Sequence, residues 1–480
     1  MKKIAVLILV VTLLPFCLVG CGGKDEKRNF YSIEAVFNDD DMTLTCSQSV
    51  EYVNTSENIL TEVDFFLYPN SFAEGQTPVP SSYKASAYPN GESFGCMEME
   101  SVKVTGQSAE FVVEEENKSI LVVYLGKELY PDEVVEIEME YTVSLANINH
   151  RLGYGEKTVN FGTFFPIVCV YENGFVRNGF SSSGDPFYSD VSNFEVKLSF
   201  PEEYVLASTG NQEVQSDGTV LCEAENVRDF AFVLSKEFEL LSKETNGVTV
   251  NYYYYKDENA EENLEIYCEA VETFEDLFGQ YPYKQLSVVK TNFCFGGMEY
   301  PNLVMISDDI ADKETYNYVI VHEIAHQWWY GVVGNNEYTD AWVDEGLTEY
   351  STALFFEENE KYGFDYDVVM ENALNGYKKF VEIYSSVLGK VDESMQRDLS
   401  EFLTEPEYVN CTYTKGMLLF DSLRDTLGKQ KFEKCLKNYY KEYKFENSSY
   451  EKLVKSFSKS ANRNLENFFA SWVEGNVKIA

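Results

Sequence analysis

The stretch HEIAHQWWYGVVGNNEYTDAWVDEGLTEY, residues 322–350, decides how the rest of this chain is read. His322 and His326 stand four residues apart around Glu323, in a protein that has only three histidines. Residues i and i+4 stack on one face of a helix, so both imidazoles can close on one metal ion. Neutral imidazole suits zinc, and a catalytic zinc takes three protein ligands and keeps a fourth position for water. Glu345 follows after enough chain to end one helix, turn and return on a second. The set His322, His326 and Glu345 would hold one Zn2+ per chain, with Glu323 left beside it as the base. Thr339 or Asp340 is placed to cap the second helix. Glu349, one turn beyond Glu345, is a candidate to accept a hydrogen bond from the outer nitrogen of a ligand histidine. A buried helix with merely hydrogen-bonded histidines explains the pair less well, because histidine is so rare here.

The N-terminus reads as a targeting segment. Lys2 and Lys3 precede the apolar run 4–16, and Leu18-Val19-Gly20-Cys21 follows. A basic start, an apolar stretch too short for a span of ~20 residues, and a small-residue cleavage site describe a leader over residues 1–20. The cysteine after Gly20 resembles a bacterial lipobox, which implies lipidation at Cys21, a polar tether over residues 21–29, and a body held outside the cytoplasmic membrane. The net charge of −42 argues against nucleic acid and anionic lipid surfaces as partners. The remaining cysteines are scattered singly, with no C-x-x-C, and read as small buried residues rather than a disulfide framework.

From residue 30 to about 240 the hydrophobic pattern has period two. Val135, Ile137, Met139, Tyr141 and Val143 alternate with Glu136, Glu138, Glu140 and Thr142, as do Phe194, Val196 and Leu198 with Glu195 and Lys197. Such strands are half-buried and antiparallel, which makes residues 30–240 an all-β domain. Residues 241–480 change character. Strands are expected at 248–255, 286–291 and 303–306, with helices at 261–278, 313–331, 341–360 and 366–388 and more from 414 onward. A small sheet followed by packed helices is an α+β layout.

Three segments in order resemble the aminopeptidase N family of zinc metallopeptidases, peptidase family M1. FGGMEYP, residues 295–301, is similar to the family's Gly-x-Met-Glu-Asn exopeptidase motif. HEIAH with Glu345 is the second, and Tyr413-Thr414-Lys415-Gly416 is similar to the catalytic Tyr-x-Lys-Gly segment. The resemblance implies a thermolysin-like catalytic domain after the β domain. It implies zinc that polarises a scissile carbonyl, Glu323 as the base, and Tyr413 as a donor to the developing oxyanion. Glu299 would hold the substrate's free α-amine, with Gly296, Gly297 and Met298 forming the edge along which a peptide lies. Gly297 and Tyr300 replace the commoner Ala and Asn. Within residues 163–175 there is no clear match to the family's second amine-binding side chain, Glu172 being the only acidic residue. The alternatives are a zinc endopeptidase with the same metal site and a non-catalytic surface lipoprotein that binds peptides. Phe293, Cys294 and Phe295 are candidates to line the pocket for the first substrate side chain.

Overall fold

The computed structural model describes residues 27–76, 78–114 and 118–479; the expected leader and Cys21 fall outside the described residues. Strand Val134–Ser144 shows why the first half folds as it does. Its alternating Val135, Ile137, Met139, Tyr141 and Val143 are all buried, while Glu136 and Glu140 stay in water. It lies in an eight-stranded sheet ordered Asn211–Val214, Val220–Val227, Ser192–Ser199, Phe30–Asn38, Thr43–Val53, Val134–Ser144, Cys96–Val104 and Gln107–Ser108. Two four-stranded sheets complete the all-β half. One pairing departs from the antiparallel expectation: Phe30–Asn38 runs parallel to Ser192–Ser199. Parallel neighbours need a long crossover, and here the intervening chain builds most of the domain.

The second half carries a five-stranded mixed sheet ordered Glu239–Thr245, Val248–Tyr254, Gln285–Thr291, Leu303–Ser307 and Gly297–Met298. Its last, two-residue strand runs antiparallel at the edge. Helix Ala260–Leu277 and a helical bundle pack on one face. From the other, Tyr253, Val289, Met298 and Met305 join the core of the β domain. The central strands Gln285–Thr291 and Leu303–Ser307 are therefore covered on both faces, whereas the edge strand Glu239–Thr245 is largely exposed. Of the cysteines, Cys46, Cys96, Cys169, Cys222, Cys268, Cys294, Cys411 and Cys435 are free thiols, and all but Cys96 are buried.

Two helix boundaries differ from the expectation, both next to the decisive stretch. The histidine helix runs Lys313–Ala325 and is capped by Asp312, whose side chain accepts from the Thr315 N–H. It stops at His326 rather than continuing to 331. The tryptophans pin the chain sideways instead, Trp328 donating to the Gly279 carbonyl (2.8 Å) and Trp329 to Ser351 (2.9 Å). Tyr330 then turns the backbone at φ 115°. The glutamate helix runs Glu337–Glu358, and its cap is Asn336, which accepts from the Tyr338 N–H at 3.1 Å. Asp340, expected as a cap, is a kink inside this helix (φ −125°, ψ 29°). Asn336, immediately ahead of the first turn, takes the capping role instead.

The glutamate helix is crossed by helix Lys415–Leu427 with two glycines at the contact. A Cβ on Gly416 would stand 2.6 Å from the Gly346 Cα, and one on Gly346 would stand 2.8 Å from the Gly416 Cα. Backbone meets backbone, so neither side can yield. Gly416→Ala is expected to lower stability by roughly 1–3 kcal/mol, read as a fall in the melting temperature, whereas Gly376→Ala, at an open position, is expected to leave it unchanged or raised. Equal melting temperatures for Gly416→Ala and the parent would show that the crossing is looser than drawn.

Candidate active site

His322 and His326 lie on the last turn of the histidine helix, and Glu345 reaches them from the second turn beyond the kink of the glutamate helix. The three facing atoms form a near-regular triangle. His322 Nε2 is 3.1 Å from His326 Nε2, and Glu345 Oε2 is 3.4 Å and 3.2 Å from those two nitrogens. Ligands about 2.05 Å from a tetrahedral ion stand about 3.3 Å apart, so the triangle has the size of three corners of such a site. All three residues are buried, and Glu345 Oε2 finds no hydrogen-bond partner in the protein. The donor set, two imidazoles and a carboxylate, suits a borderline divalent cation.

The outer side of each histidine shows how the ligands are aimed. His326 Nδ1 donates to the Trp329 carbonyl at 2.9 Å, which is why the helix has to end and the chain fold back there. That bond fixes the tautomer and leaves Nε2 with a lone pair towards the triangle. Thr348 Oγ1 adds a contact at 3.1 Å. Glu349 stands opposite His322 Nδ1 at 3.7 Å, beyond hydrogen-bond length, and is held there by the Tyr318 hydroxyl.

Glu323 and Glu299 flank the triangle. Glu323 is buried, and its Oε2 has no partner. Gly297 is the reason it fits: a Cβ there would lie 2.5 Å from the Glu323 carboxyl group. Glycine in place of alanine in this motif is thus a matter of contact, not of turn geometry. Glu299 is buried in the same cavity. Its loop is tied to the histidine helix by Gln327, whose amide receives the Asn302 N–H at 2.9 Å and donates to the Tyr300 carbonyl at 3.1 Å.

Tyr413 arrives from the helical half on a wide turn, Asn410–Thr414, just ahead of the glycine crossing. Such wide turns recur at functional sites because they re-aim one side chain. Its ring stacks over His322 at 5.8 Å, and its hydroxyl donates to Glu345 Oε1. Gly296 and Gly297 line the cavity. Met298 does not; it is 1% exposed and packs in the β-domain core, because the next position of an edge strand points to the opposite face. Tyr300 also turns away. It is fully buried against Gly162, where even a Cβ would touch its hydroxyl at 2.1 Å, so its size does not burden the cleft. Of the aromatic run before the glycines, Phe295 faces the cavity, whereas Phe293 and Cys294 are core residues.

A further carboxylate reaches the cavity from outside residues 163–175. Glu172 accepts from Tyr188 at 2.8 Å and does not line the cavity. Asp185, in the turn Gly184-Asp185-Pro186, does, and it offers an oxygen within 4.8 Å of oxygens from both Glu299 and Glu345. Arg151 binds its other side. The only signal in the sequence was a polar Ser-Ser-Ser-Gly-Asp-Pro turn with nothing to mark its destination.

These side chains repel one another when taken alone. Burial, reinforced by Glu299, pushes the Glu323 carboxyl well above the usual carboxylate range. Burial likewise lifts Glu299 to about 8, with Asp185 and Glu345 adding to the rise and His326 opposing it. Burial alone would raise Glu345 too, but His326 and His322 hold it down at about 2. A cation entering such a pocket would let these carboxyls ionise, so the pocket is a receptor for cations.

Residues 262–472 match the peptidase family M1 domain. Aminopeptidase N of Lactococcus lactis is 24% identical over 407 residues, covering 78% of this chain and 45% of that protein. Human endoplasmic reticulum aminopeptidase 2 is 25% identical over 260 residues, 50% of this chain and 26% of that protein. An M1 zinc metallopeptidase from Deinococcus radiodurans superposes with a TM-score of 0.66 at 16% identity, covering 94% of each chain. An all-β domain leading into a helical domain with a His, His, Glu triangle defines a class of metallopeptidase fold. Within it, the chain is similar to members of peptidase family M1, through its residues 262–472 and these relatives. It spans less than half the length of the curated relatives it matches.

The triangle predicts one bound divalent ion per chain. Elemental analysis after gel filtration is expected to find it in the parent protein and in Glu323→Gln, and to lose most of it in His326→Ala. Equal metal in parent and His326→Ala would remove the assignment.

Proposed function

We propose that the protein is a zinc-dependent aminopeptidase that removes single residues from peptide N-termini. One observation carries this reading: oxygens of Glu299 and Asp185 lie within 4.8 Å of an oxygen of Glu345, one of the three ligand residues. In a peptide the amine nitrogen and the carbonyl carbon of the first residue are about 2.5 Å apart. A cationic amine held by the two carboxylates therefore leaves room for one residue before the ligand triangle. Glu172 and Met298 have no part in this arrangement, and Asp185 supplies the second amine contact.

His322, His326 and Glu345 would hold the zinc, which when bound polarises the scissile carbonyl and acidifies water. Glu323, with an unpartnered oxygen beside the triangle, takes the water proton and returns it to the leaving amine. Tyr413 presents its O–H at the same point and stabilises negative charge as it forms on the carbonyl oxygen. Gly296 and Gly297 leave the edge strand open for the peptide backbone to lie alongside. The leader and the Gly20-Cys21 junction support a lipid anchor at Cys21 and a site of action outside the cytoplasmic membrane, on peptides rather than nucleic acid.

Mass spectrometry of one synthetic peptide, offered with a free and with an acetylated N-terminus, tests the reading. Stepwise loss of single residues from the free form alone is expected. Internal cleavage of both forms would make the protein an endopeptidase and dismiss the amine-holding role of Glu299 and Asp185. In the same assay Glu323→Gln is expected to lower kcat about 10²–10⁴-fold and Tyr413→Phe about 10²–10³-fold.

Gly297→Ala provides a finer test. It should retain the zinc and the melting temperature, since only the flexible end of Glu323 has to move, yet lose at least about tenfold in kcat, because a displaced base transfers protons poorly. An unchanged kcat would show that Glu323 does not act from the position it occupies here.

A further inference from the structure

The third histidine has no task in the chemistry above. His150 comes from the β domain, is 3% exposed, and lines the same cavity. Neither of its ring nitrogens has a partner at full hydrogen-bond geometry, although the Pro78 backbone lies close enough to act on the ring. Aromatic rings surround it edge-on. Phe72 stands at 5.0 Å and 77°, and Phe295 at 5.3 Å and 83°. Tyr83 packs against Phe295 at 4.8 Å, and Pro78 and Pro80 complete this wall. An imidazole left without partners inside an apolar wall costs stability unless something arrives to satisfy it.

We propose that this wall is the pocket for the first side chain of the substrate, that it selects an aromatic residue carrying a hydroxyl, N-terminal tyrosine, and that His150 reads the hydroxyl. The proposal rests on the aminopeptidase reading, because it takes the amine to be at Glu299. Phe295 immediately precedes the glycine edge that leads to Glu299, so a first residue held by its amine has this wall within reach of its side chain. Aromatic and proline surfaces favour a flat apolar body. Burial, with Arg151 close by, keeps the imidazole neutral, so it offers one donor and one acceptor. A phenol hydroxyl also both donates and accepts. The hydroxyl can pair with either nitrogen, one at a time, whereas the indole of tryptophan can pair only with the acceptor nitrogen, phenylalanine would fill the slot and meet neither, and the Arg151 charge disfavours lysine and arginine.

The test compares Tyr-, Phe-, Ala- and Lys-Ala-Ala peptides on the zinc-loaded protein and on His150→Phe, which keeps a ring and removes both nitrogens. The parent is expected to favour Tyr over Phe by at least about tenfold in kcat/KM, as a site with a committed hydrogen-bond group does. In His150→Phe that ratio should fall to about one while the Phe peptide is still cleaved, which also shows that the variant is folded. Equal rates on Tyr and Phe in the parent, or an unchanged ratio in the variant, would overturn the proposal. Calorimetry with L-tyrosinamide and L-phenylalaninamide separates the two readings. Preferential binding of tyrosinamide with no peptide cleaved would keep the pocket and reject the peptidase; cleavage without preference would do the reverse. Neither binding nor cleavage would reject both.

Discussion

The active site depends on three atoms from two helices meeting at 3.1–3.4 Å. Nothing in either helix alone enforces that meeting. It requires the histidine helix to stop at His326, so that the Trp329 carbonyl can take the Nδ1 proton. It also requires the glutamate helix to lie close enough for Glu345 to reach across. The tryptophan hydrogen bonds, the left-turned Tyr330 and the Gln327 amide all act on the short stretch between the two helices, and each fixes one degree of freedom of the triangle. Substitutions there are therefore expected to act through ligand geometry even where they touch no ligand.

Charge is the cost of this arrangement. Asp185, Glu299, Glu323 and Glu345 share one cavity with few cations of the protein's own, Arg151 and the histidines being the nearest. The strain is concentrated where a divalent ion and a substrate ammonium would relieve it. Such a site trades stability for affinity, and binding free energy returns what folding gave up. The same reasoning explains why the tie between Arg151 and Asp185 matters: it fixes one carboxylate on the cleft wall without neutralising the others.

How much of this was legible in the sequence follows from the range of the interactions. The i, i+4 histidines, the period-two strands and the long helix Tyr366–Leu388 are local patterns, and each appears where its periodicity places it. The helix ends were less legible, because Asn336 and the tryptophan turn respond to partners far along the chain. Direction was harder still. Met298 and Tyr300 sit beside Glu299 in sequence, yet both turn into the core, Met298 from the edge strand and Tyr300 against Gly162. Asp185 and His150 carry no local pattern at all. Only the packing of the β domain against the sheet brings them to the cleft, and a lone aspartate in a polar turn or a lone histidine ahead of an arginine gives no warning of it.

That packing also bears on how the site works. Two-domain proteins usually move at their interface, but here the interface is pinned by a buried arginine. Arg228 donates to the Ser189 carbonyl at 2.8 Å and to Asn447 at 2.7 Å, and its guanidinium fills the space beside Gly334, where a Cβ would stand 2.2 Å from it. Ser82 of the β domain adds a bond to Glu405 of the helical half at 2.9 Å, at the rim of the cavity. Rocking one domain would break a buried charged group away from its acceptors, a cost of several kcal/mol. These contacts resist a change in width of a cleft whose one wall carries the chemistry and whose other carries His150 and Asp185. Selectivity in such a cleft comes from static complementarity, and the distance between the amine-holding carboxylates and the ligand triangle is set by the domain interface.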